Sequence, residues 1–275
     1  MLSHGIPLPN PQDVHESTDI ISSIPGTGRR VVGLPNDIVV KYGSNVDLDE
    51  AKSISFVVKN ISIPVPMVRG SYEHDSMKYI FLTRLTGTPL SECLHSMSSD
   101  EYDIISQEMG ALLSELRALR VEEFECCSYI GSVGFGEVKD KMLRAGRNER
   151  GPFLTEKALH SNICQRWEDA RSWGNPKPNH YIEVIRRMYA ENNNHEIVFT
   201  HADLHPSNIL VNEGHISGIV DWQDAGWYPE YWEYVTIMNR CTGYWDTLWP
   251  LKIDKFLKPH DYMRLIDSPI HSKLS

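Results

Sequence analysis

The sequence predicts an α+β protein of two lobes, a strand-rich front around one helix and a longer back in which amphipathic helices dominate. Three observations carry this. Residues 29–34 and 38–42 are rich in β-branched side chains on either side of Pro35-Asn36-Asp37, which reads as a hairpin. Thr86-Gly87-Thr88-Pro89 then breaks the chain and the composition changes, which sets the lobes at residues 1–86 and 87–275. Past the break, residues 100–119 place Ile104, Ile105, Met109, Leu112, Leu113, Leu116 and Leu119 on one helical stripe. A chain of 275 residues with 41% hydrophobic content suits one large domain or two intimate lobes.

Taken in order, residues 1–11 read as a polar, Pro-punctuated arm and 14–24 as a weak helix. Pro25-Gly26-Thr27-Gly28 is a turn into the hairpin. A helix is expected over 50–59, capped by Asp47 or Asp49, with Ala51, Ile54, Val57 and Val58 facing inward. Pro64 and Pro66 force an extended stretch. Ser71-Tyr72 and residues 78–82 make a strand pair around His74-Asp75-Ser76. In the back part, residues 131–151 form a Gly- and charge-rich loop, and helices are expected over 156–173, 181–190, 232–241 and 253–266. Residues 195–200 read as a strand, and 209–212 with 215–222 as a hairpin across Asn212-Glu213-Gly214.

The bulk numbers exclude some classes. A net charge of −10 argues against nucleic-acid binding through a broad basic face. Five Cys, an odd number without metal-type spacing, read as reduced thiols. No apolar run approaches a membrane span and no signal peptide is seen, so a cytoplasmic location is expected. Nothing fixes an oligomeric state.

The chemistry concentrates in residues 199–222, FTHADLHPSNILVNEGHISGIVDW. Asp203 and Asn208, across a tight Pro-containing loop, can put a carboxylate and an amide oxygen into one cavity, and Asp221 at the end of the following hairpin can reach it. Such hard oxygen ligands suit Mg²⁺ held jointly with nucleotide phosphates. A remaining carboxylate can accept the proton of an attacking hydroxyl.

His201-Ala202-Asp203-Leu204-His205-Pro206-Ser207-Asn208 and Ile219-Val220-Asp221-Trp222 resemble the catalytic loop and metal motif of the aminoglycoside phosphotransferase and choline kinase-like family, and Ala225-Gly226-Trp227-Tyr228-Pro229-Glu230-Tyr231-Trp232-Glu233-Tyr234 resembles in particular its fungal members. The resemblance runs over residues 31–235 and includes Tyr129-Ile130-Gly131-Ser132 and Gly151-Pro152-Phe153. It implies a protein-kinase-like fold, with a small N-lobe of antiparallel sheet and one helix and a larger, mainly helical C-lobe. It implies ATP or GTP and Mg²⁺ as cofactors, Asp203 as catalytic base, Asn208 and Asp221 as metal ligands, and His201 and His205 as structural members of the loop. In the N-lobe, Lys41 at a strand end and Glu50 at a helix start match the ion pair that orients the α- and β-phosphates. Gly26 and Gly28 stand where a phosphate-covering loop belongs, as two glycines rather than a full GxGxxG. Leu82, Thr83 and Leu85 stand at the adenine-binding hinge, where backbone groups make the contact.

Two departures stand out. Thr83 replaces a Glu and Leu85 an aromatic at the hinge, and Ala202 occupies a position where Gly is usual, which Ala fits if φ there is negative. The acceptor wall is expected from Asp224, Trp227, Tyr228, Glu230, Trp232 and Glu233, with Trp245, Asp246 and Trp249 behind them, a mix of aromatics and carboxylates that suits a cationic small molecule. The leading reading is therefore a phosphotransferase that moves the γ-phosphoryl group to a hydroxyl of a small molecule. The competing readings are a degenerate nucleotide-binding interaction protein, a protein Ser/Thr kinase, disfavoured by the missing APE-like element, and a metal hydrolase built on His201, Asp203 and His205, disfavoured by the lack of a second ligand set.

Overall fold

The computed structural model describes residues 7–23, 25–120, 128–143, 149–171, 180–240, 253 and 255–266. Within them, the β-branched runs of the front part pair into an antiparallel sheet of order β1-β2-β3-β5-β4. Its strands are β1 Ile20–Ser23, β2 Arg30–Leu34, β3 Ile38–Gly43, β4 Val68–His74 and β5 Met77–Thr83. Alternation sorts the two faces. Val32, Val40, Tyr42, Tyr79 and Phe81 pack on the outer face with Val14 from the short helix α1, Pro11–His15. Ile80 and Leu82 point the other way, into the main core, beneath α2, Asp49–Asn60. Lys41 is paired with Ile80 across β3 and β5 and so shares that inner face. The tight β4–β5 turn has Asp75 and Ser76 at φ 48° and 61°, the left-handed pair that a two-residue hairpin requires.

Of the stretch expected to be helical, 14–24, only Val14 and His15 are so, as the end of α1. After α1 the chain straightens and Ile20–Ser23 pairs with β2 as an edge strand. Ile20 and Ile21 are exposed and would have had no apolar partner on a helix face, whereas the edge satisfies their backbone. In α2 the N-cap residue is Leu48, between the two expected candidates, and it makes no side-chain cap. Asp47 contributes by accepting the Asp49 N–H at 3.0 Å. Val58 faces solvent, because it lies about 100° round the helix from Val57. Its expected inward place is taken by Glu50 and Ser53, which are buried with Ile54 and Val57.

The chain then passes through β6, Thr88–Pro89, and α3, Leu90–Cys93, into α4, Ser99–Ala118, which opens on a Ser98/Glu101 capping box. Tyr102, Ile105, Met109, Leu112, Leu113 and Leu116 fill the core from α4, while Ile104 and Leu119 are only half-buried. Helices α5, Glu156–Arg171, and α6, His180–Glu191, pack on one another. Strands β7, Ile197–Thr200, and β10, Gly226–Pro229, pair antiparallel, and β8, Ile209–Asn212, bridges β6 and β9, His215–Ile219. Helix α7, Trp232–Arg240, follows. Residues 261–266 are helical, whereas 258–260, inside the stretch expected to be helical, are not. Among the described residues no helix is long and apolar enough to cross a membrane.

One core runs beneath α2 into the back of the molecule. Phe56, about 1.7 turns along α2 from Glu50, sets its ring 5.2 Å from Phe199 of β7 and 6.1 Å from Trp227 of β10. Deeper in, His160 of α5 stacks on Tyr189 of α6 at 3.9 Å and pairs its Nε2 with the Tyr231 hydroxyl at 2.8 Å. Burial, with neighbouring His195, drives the His160 pKa down from 6.5 to about 3. Below pH 6.5 the unfolded chain therefore takes up a proton that the fold refuses. Stability is expected to fall on acidification from pH 6.5 towards 3 by up to about 1.4 kcal/mol per pH unit from this residue. Urea midpoints across that range should fall less steeply in His160→Phe.

Candidate active site

The catalytic-loop candidates lie between the end of β7 and the start of β8. His201 leaves β7 buried, its ring 4.6 Å from Trp222. Its Nε2–H donates to the Val220 carbonyl at 3.0 Å, and its Nδ1 accepts the Asp203 N–H at 3.2 Å. The imidazole thus ties the loop to the segment that carries Asp221 and shapes the turn into Asp203. His205 accepts the Ser207 N–H on Nδ1 at 3.2 Å and starts the 3-10 turn Pro206–Asn208. Asn208 turns its amide inward, Nδ2 donating to the Asp203 carbonyl at 2.8 Å, and its own carbonyl accepts the Val220 N–H at 2.9 Å. Asp221 adopts the left-handed conformation, φ 63° and ψ 61°, between β9 and the 3-10 turn Trp222–Asp224.

Lys41 meets this cluster from the N-lobe. Its Nζ lies 2.6 Å from Glu50 Oε2, 2.6 Å from Asp221 Oδ1 and 3.4 Å from Gln223 Oε1. Burial alone would lower the Lys41 pKa, but the two facing carboxylates outweigh it and hold the ammonium charged. The Asp221 carboxyl is likewise pulled up by burial and brought below its ordinary value by Lys41. Lys41 and Glu50 are almost wholly buried, whereas the Asp221 side chain keeps 29% of its surface open.

Ala202 departs from its expected conformation. It sits at φ 64°, not at the negative φ that Ala prefers, which costs roughly 1–2 kcal/mol. The strain is held by Glu233, whose buried carboxylate accepts N–H groups from His201 at 2.8 Å and Ala202 at 3.2 Å. Ala202→Gly relieves the strain at the loss of one buried methyl and a freer unfolded chain. A small stabilisation, up to about 1 kcal/mol, is expected in thermal unfolding.

The expected acceptor wall is mostly interior. Asp224, Trp227, Tyr228, Trp232 and Glu233 are buried, and Glu230 is half-buried. Trp227 packs on Phe199 and Phe56. Tyr228 stacks on Trp232 at 5.2 Å and donates its hydroxyl to the Asp224 carbonyl at 2.8 Å. Trp232 donates Nε1–H to Asp140 Oδ2 at 2.9 Å. These side chains brace the loop from beneath, because aromatics next to carboxylates can satisfy one another inside a core as well as line a cavity. Trp245, Asp246 and Trp249 lie outside the described residues.

The three hinge residues divide between the sheet and the segment after it. Leu82 lies within β5, paired to Val39 and Val68. Thr83 donates its N–H to the Met67 carbonyl at 2.9 Å. Of the three hinge candidates, Leu85 alone lies beyond the sheet, its side chain over Gly218. Gly26 and Gly28 both take positive φ, 80° and 66°, in the turn before β2. The same turn fixes a glycine that sequence reading gave no role. Gly43 has φ 147°, and a Cβ there would stand 1.9 Å from the Gly28 carbonyl oxygen. Arg29 reaches from this turn to hydrogen-bond Gln223.

Sequence reading also missed the far side of Asp203. Arg240, at the end of α7, places Nη1 2.7 Å from Asp203 Oδ1 and Nη2 2.8 Å from Asp140 Oδ1. Lys141 adds a second cation 3.5 Å from the same Asp203 oxygen. Burial would raise the Asp203 pKa, but Arg240, Lys141 and His201 together bring it below the ordinary value, so this carboxylate is ionised at neutral pH. A signal was present, since Arg240 lies seven residues from Glu233, the spacing that returns to one helix face.

The sequence profile of a phosphotransferase enzyme family matches residues 47–257. An aminoglycoside 3'-phosphotransferase of Enterococcus faecalis is 24% identical over 190 residues, 68% of this chain and 64% of the relative. The chain thus aligns over somewhat less than two thirds of that relative's length. Among solved structures, aminoglycoside phosphotransferase APH(4)-Ia in ternary complex with ADP and hygromycin B superposes with a TM-score of 0.62 at 16% identity, covering 94% of this chain and 82% of that one. A putative fructosamine-3-kinase from Haemophilus somnus gives 0.57 at 13% identity, covering 90% and 78%. These likenesses show a kinase-like fold with an antiparallel N-lobe sheet and a helical C-lobe. With the family profile spanning most of the sequence, the chain belongs to the phosphotransferase enzyme family.

Proposed function

We propose that this protein transfers the γ-phosphoryl group of ATP, or of GTP, to a hydroxyl of a small molecule. The observation that carries the reading is the convergence at one place of Lys41 held by Glu50, Asp221 beside Lys41, and Asp203 linked through its carbonyl to Asn208. Lys41 orients the donor's phosphates, and Glu50 keeps that ammonium in place. Leu85 offers backbone to the adenine, and the turn at Gly26 and Gly28 lies over the phosphates. The lobes meet at residues 86 and 87.

Asp221 and Asn208 fit a hard divalent cation. Both present oxygen donors, the Asp221 carboxylate is ionised and partly open, and the Asn208 amide has its Nδ2 spent on Asp203, leaving Oδ1 as the ligand atom. Mg²⁺ held there would neutralise charge on the donor's phosphates. Asp203 accepts the hydrogen bond of the acceptor hydroxyl, aligns its oxygen for attack and takes the proton as the new O–P bond forms and the bond from the γ-phosphorus to the departing nucleoside diphosphate breaks. A carboxylate with a lowered pKa is a weak base, so its contribution is mainly orientation, with proton transfer late.

The cationic-acceptor idea loses most of its residues, because the carboxylates of Asp224 and Glu233 are spent inside the protein. A cytoplasmic setting, where ATP is plentiful, completes the reading. The test is thermal unfolding with ATP and with GTP, each with and without Mg²⁺, on the wild type and Asp221→Ala. Nucleotide at about a hundred times its Kd should raise the wild-type Tm by about 5 °C. The shift should require Mg²⁺ and vanish in Asp221→Ala. Absence of any shift at millimolar nucleotide would favour a degenerate member acting through protein partners.

A further inference from the structure

We propose that Arg240 is a positioning residue, which aims the Asp203 carboxylate at the acceptor and holds the strained residue before it. The inference rests on the reading of Asp203 as the group that receives the acceptor hydroxyl.

Arg240 is anchored from several sides. Its side chain is only 10% exposed. Nη1 binds Asp203 Oδ1 at 2.7 Å and also the Ala202 carbonyl, and it lies 3.6 Å from Asp224 Oδ2. Nη2 binds Asp140 Oδ1 at 2.8 Å. Asp140 is itself immobilised, its other oxygen on Trp232 Nε1 and its N–H on the Tyr228 hydroxyl at 3.1 Å. The links are buried or part-buried, and they hold the guanidinium from three sides. Asp203 Oδ1 is spent on it, and Oδ2 is left as the oxygen that addresses a reacting hydroxyl.

The same helix grips Ala202 at both ends of the residue. Glu233 takes its N–H and Arg240 takes its carbonyl, two turns apart on α7. A residue in the left-handed region persists when its surroundings over-determine it, and here both of its backbone polar groups are fixed from one rigid element. A purely structural role accounts poorly for this arrangement. A buried charge network is a costly way to gain stability compared with apolar packing, and this one terminates on the loop carboxylate.

The experiment uses the full chain with water as acceptor, following Mg²⁺-ATP hydrolysis, and AMP-PNP binding followed separately. Arg240→Met should lower the hydrolytic kcat about a hundredfold, the scale on which a misplaced catalytic group is felt. The AMP-PNP Kd should stay within about threefold, because the bonds of Arg240 go to Ala202, Asp203 and Asp140 and not to Lys41, Glu50 or Asp221. Arg240→Lys, or added guanidinium with Arg240→Ala, should restore about tenfold of the loss, which lost packing alone would not allow. Asp140→Asn keeps the Arg240–Asp203 contact and weakens its anchor, one of the two acceptor oxygens that serve Arg240 and Trp232 being replaced by a donor. It should cost about tenfold in kcat, and it serves if the Arg240 variants fold poorly.

An unchanged kcat in Arg240→Met, or parallel losses of kcat and AMP-PNP affinity without rescue, would overturn the proposal. In the wild type, hydrolysis insensitive to Asp203→Asn would instead overturn the phosphotransfer reading on which it rests, and the assignment of Arg240 with it.

Discussion

Asp203→Asn is expected to lower kcat about 10²- to 10⁴-fold while Mg²⁺-nucleotide affinity changes little. The substitution keeps the size of the side chain and can keep a contact with Arg240, so the loop geometry is largely retained. What is lost is the acceptor for the hydroxyl proton, and the amide nitrogen that replaces one oxygen is a donor in its place. Lys41, Glu50 and Asp221 are untouched, which is why the effect should fall on turnover. Initial rates over a range of ATP concentrations separate the two quantities. A rise in KM for ATP with kcat unchanged would mean that Asp203 serves nucleotide binding and not the acceptor.

Glu233→Ala carries the largest expected loss of stability, about 3–4 kcal/mol. The carboxylate is buried and accepts the N–H groups of His201 and Ala202, and each would be left without its partner in the interior. Burial raises the Glu233 pKa despite those bonds, so some desolvation cost is relieved on truncation and the loss stays below that of a fully buried ion pair. A Tm lower by about 6 °C should be observed by calorimetry. Glu233→Gln keeps an acceptor oxygen and should lose about half as much. A loss below about 1 kcal/mol for Glu233→Ala would show that water replaces the carboxylate and that the left-handed Ala202 does not depend on it.

The parts of the site written in local sequence were legible. Asp203, Asn208 and Asp221 sit within 19 residues of one another, flanked by strands, and spacing alone brings them together. Lys41 and Glu50 were readable through the family resemblance, since a Lys at a strand end and a Glu at a helix start signal no pairing by themselves. Arg240 and Asp140 are a hundred residues apart in sequence and each is an ordinary charged residue locally, so their pairing waits on tertiary structure. The wall residues were misread because composition does not say which way a side chain points. Trp232 beside Glu233 looks the same whether it borders a ligand or, as here, closes over Asp140. Two adjacent isoleucines at 20 and 21 suit a helix or a strand equally, and a neighbouring edge decided between them. The sign of φ at Ala202 is likewise set by the Glu233 and Arg240 contacts rather than by alanine itself.

The seating of Phe56 between Phe199 and Trp227 bears on how far α2 can shift against the back of the molecule. The six residues that separate it from Glu50 correspond to about 9 Å of helix. For lobes that rock about this aromatic contact, a rotation of about 10° carries the Glu50 end of the helix only about 1.6 Å, by simple arc length. Any such rocking would leave the Glu50 carboxylate, and the Lys41 ammonium it binds, nearly in register with each other.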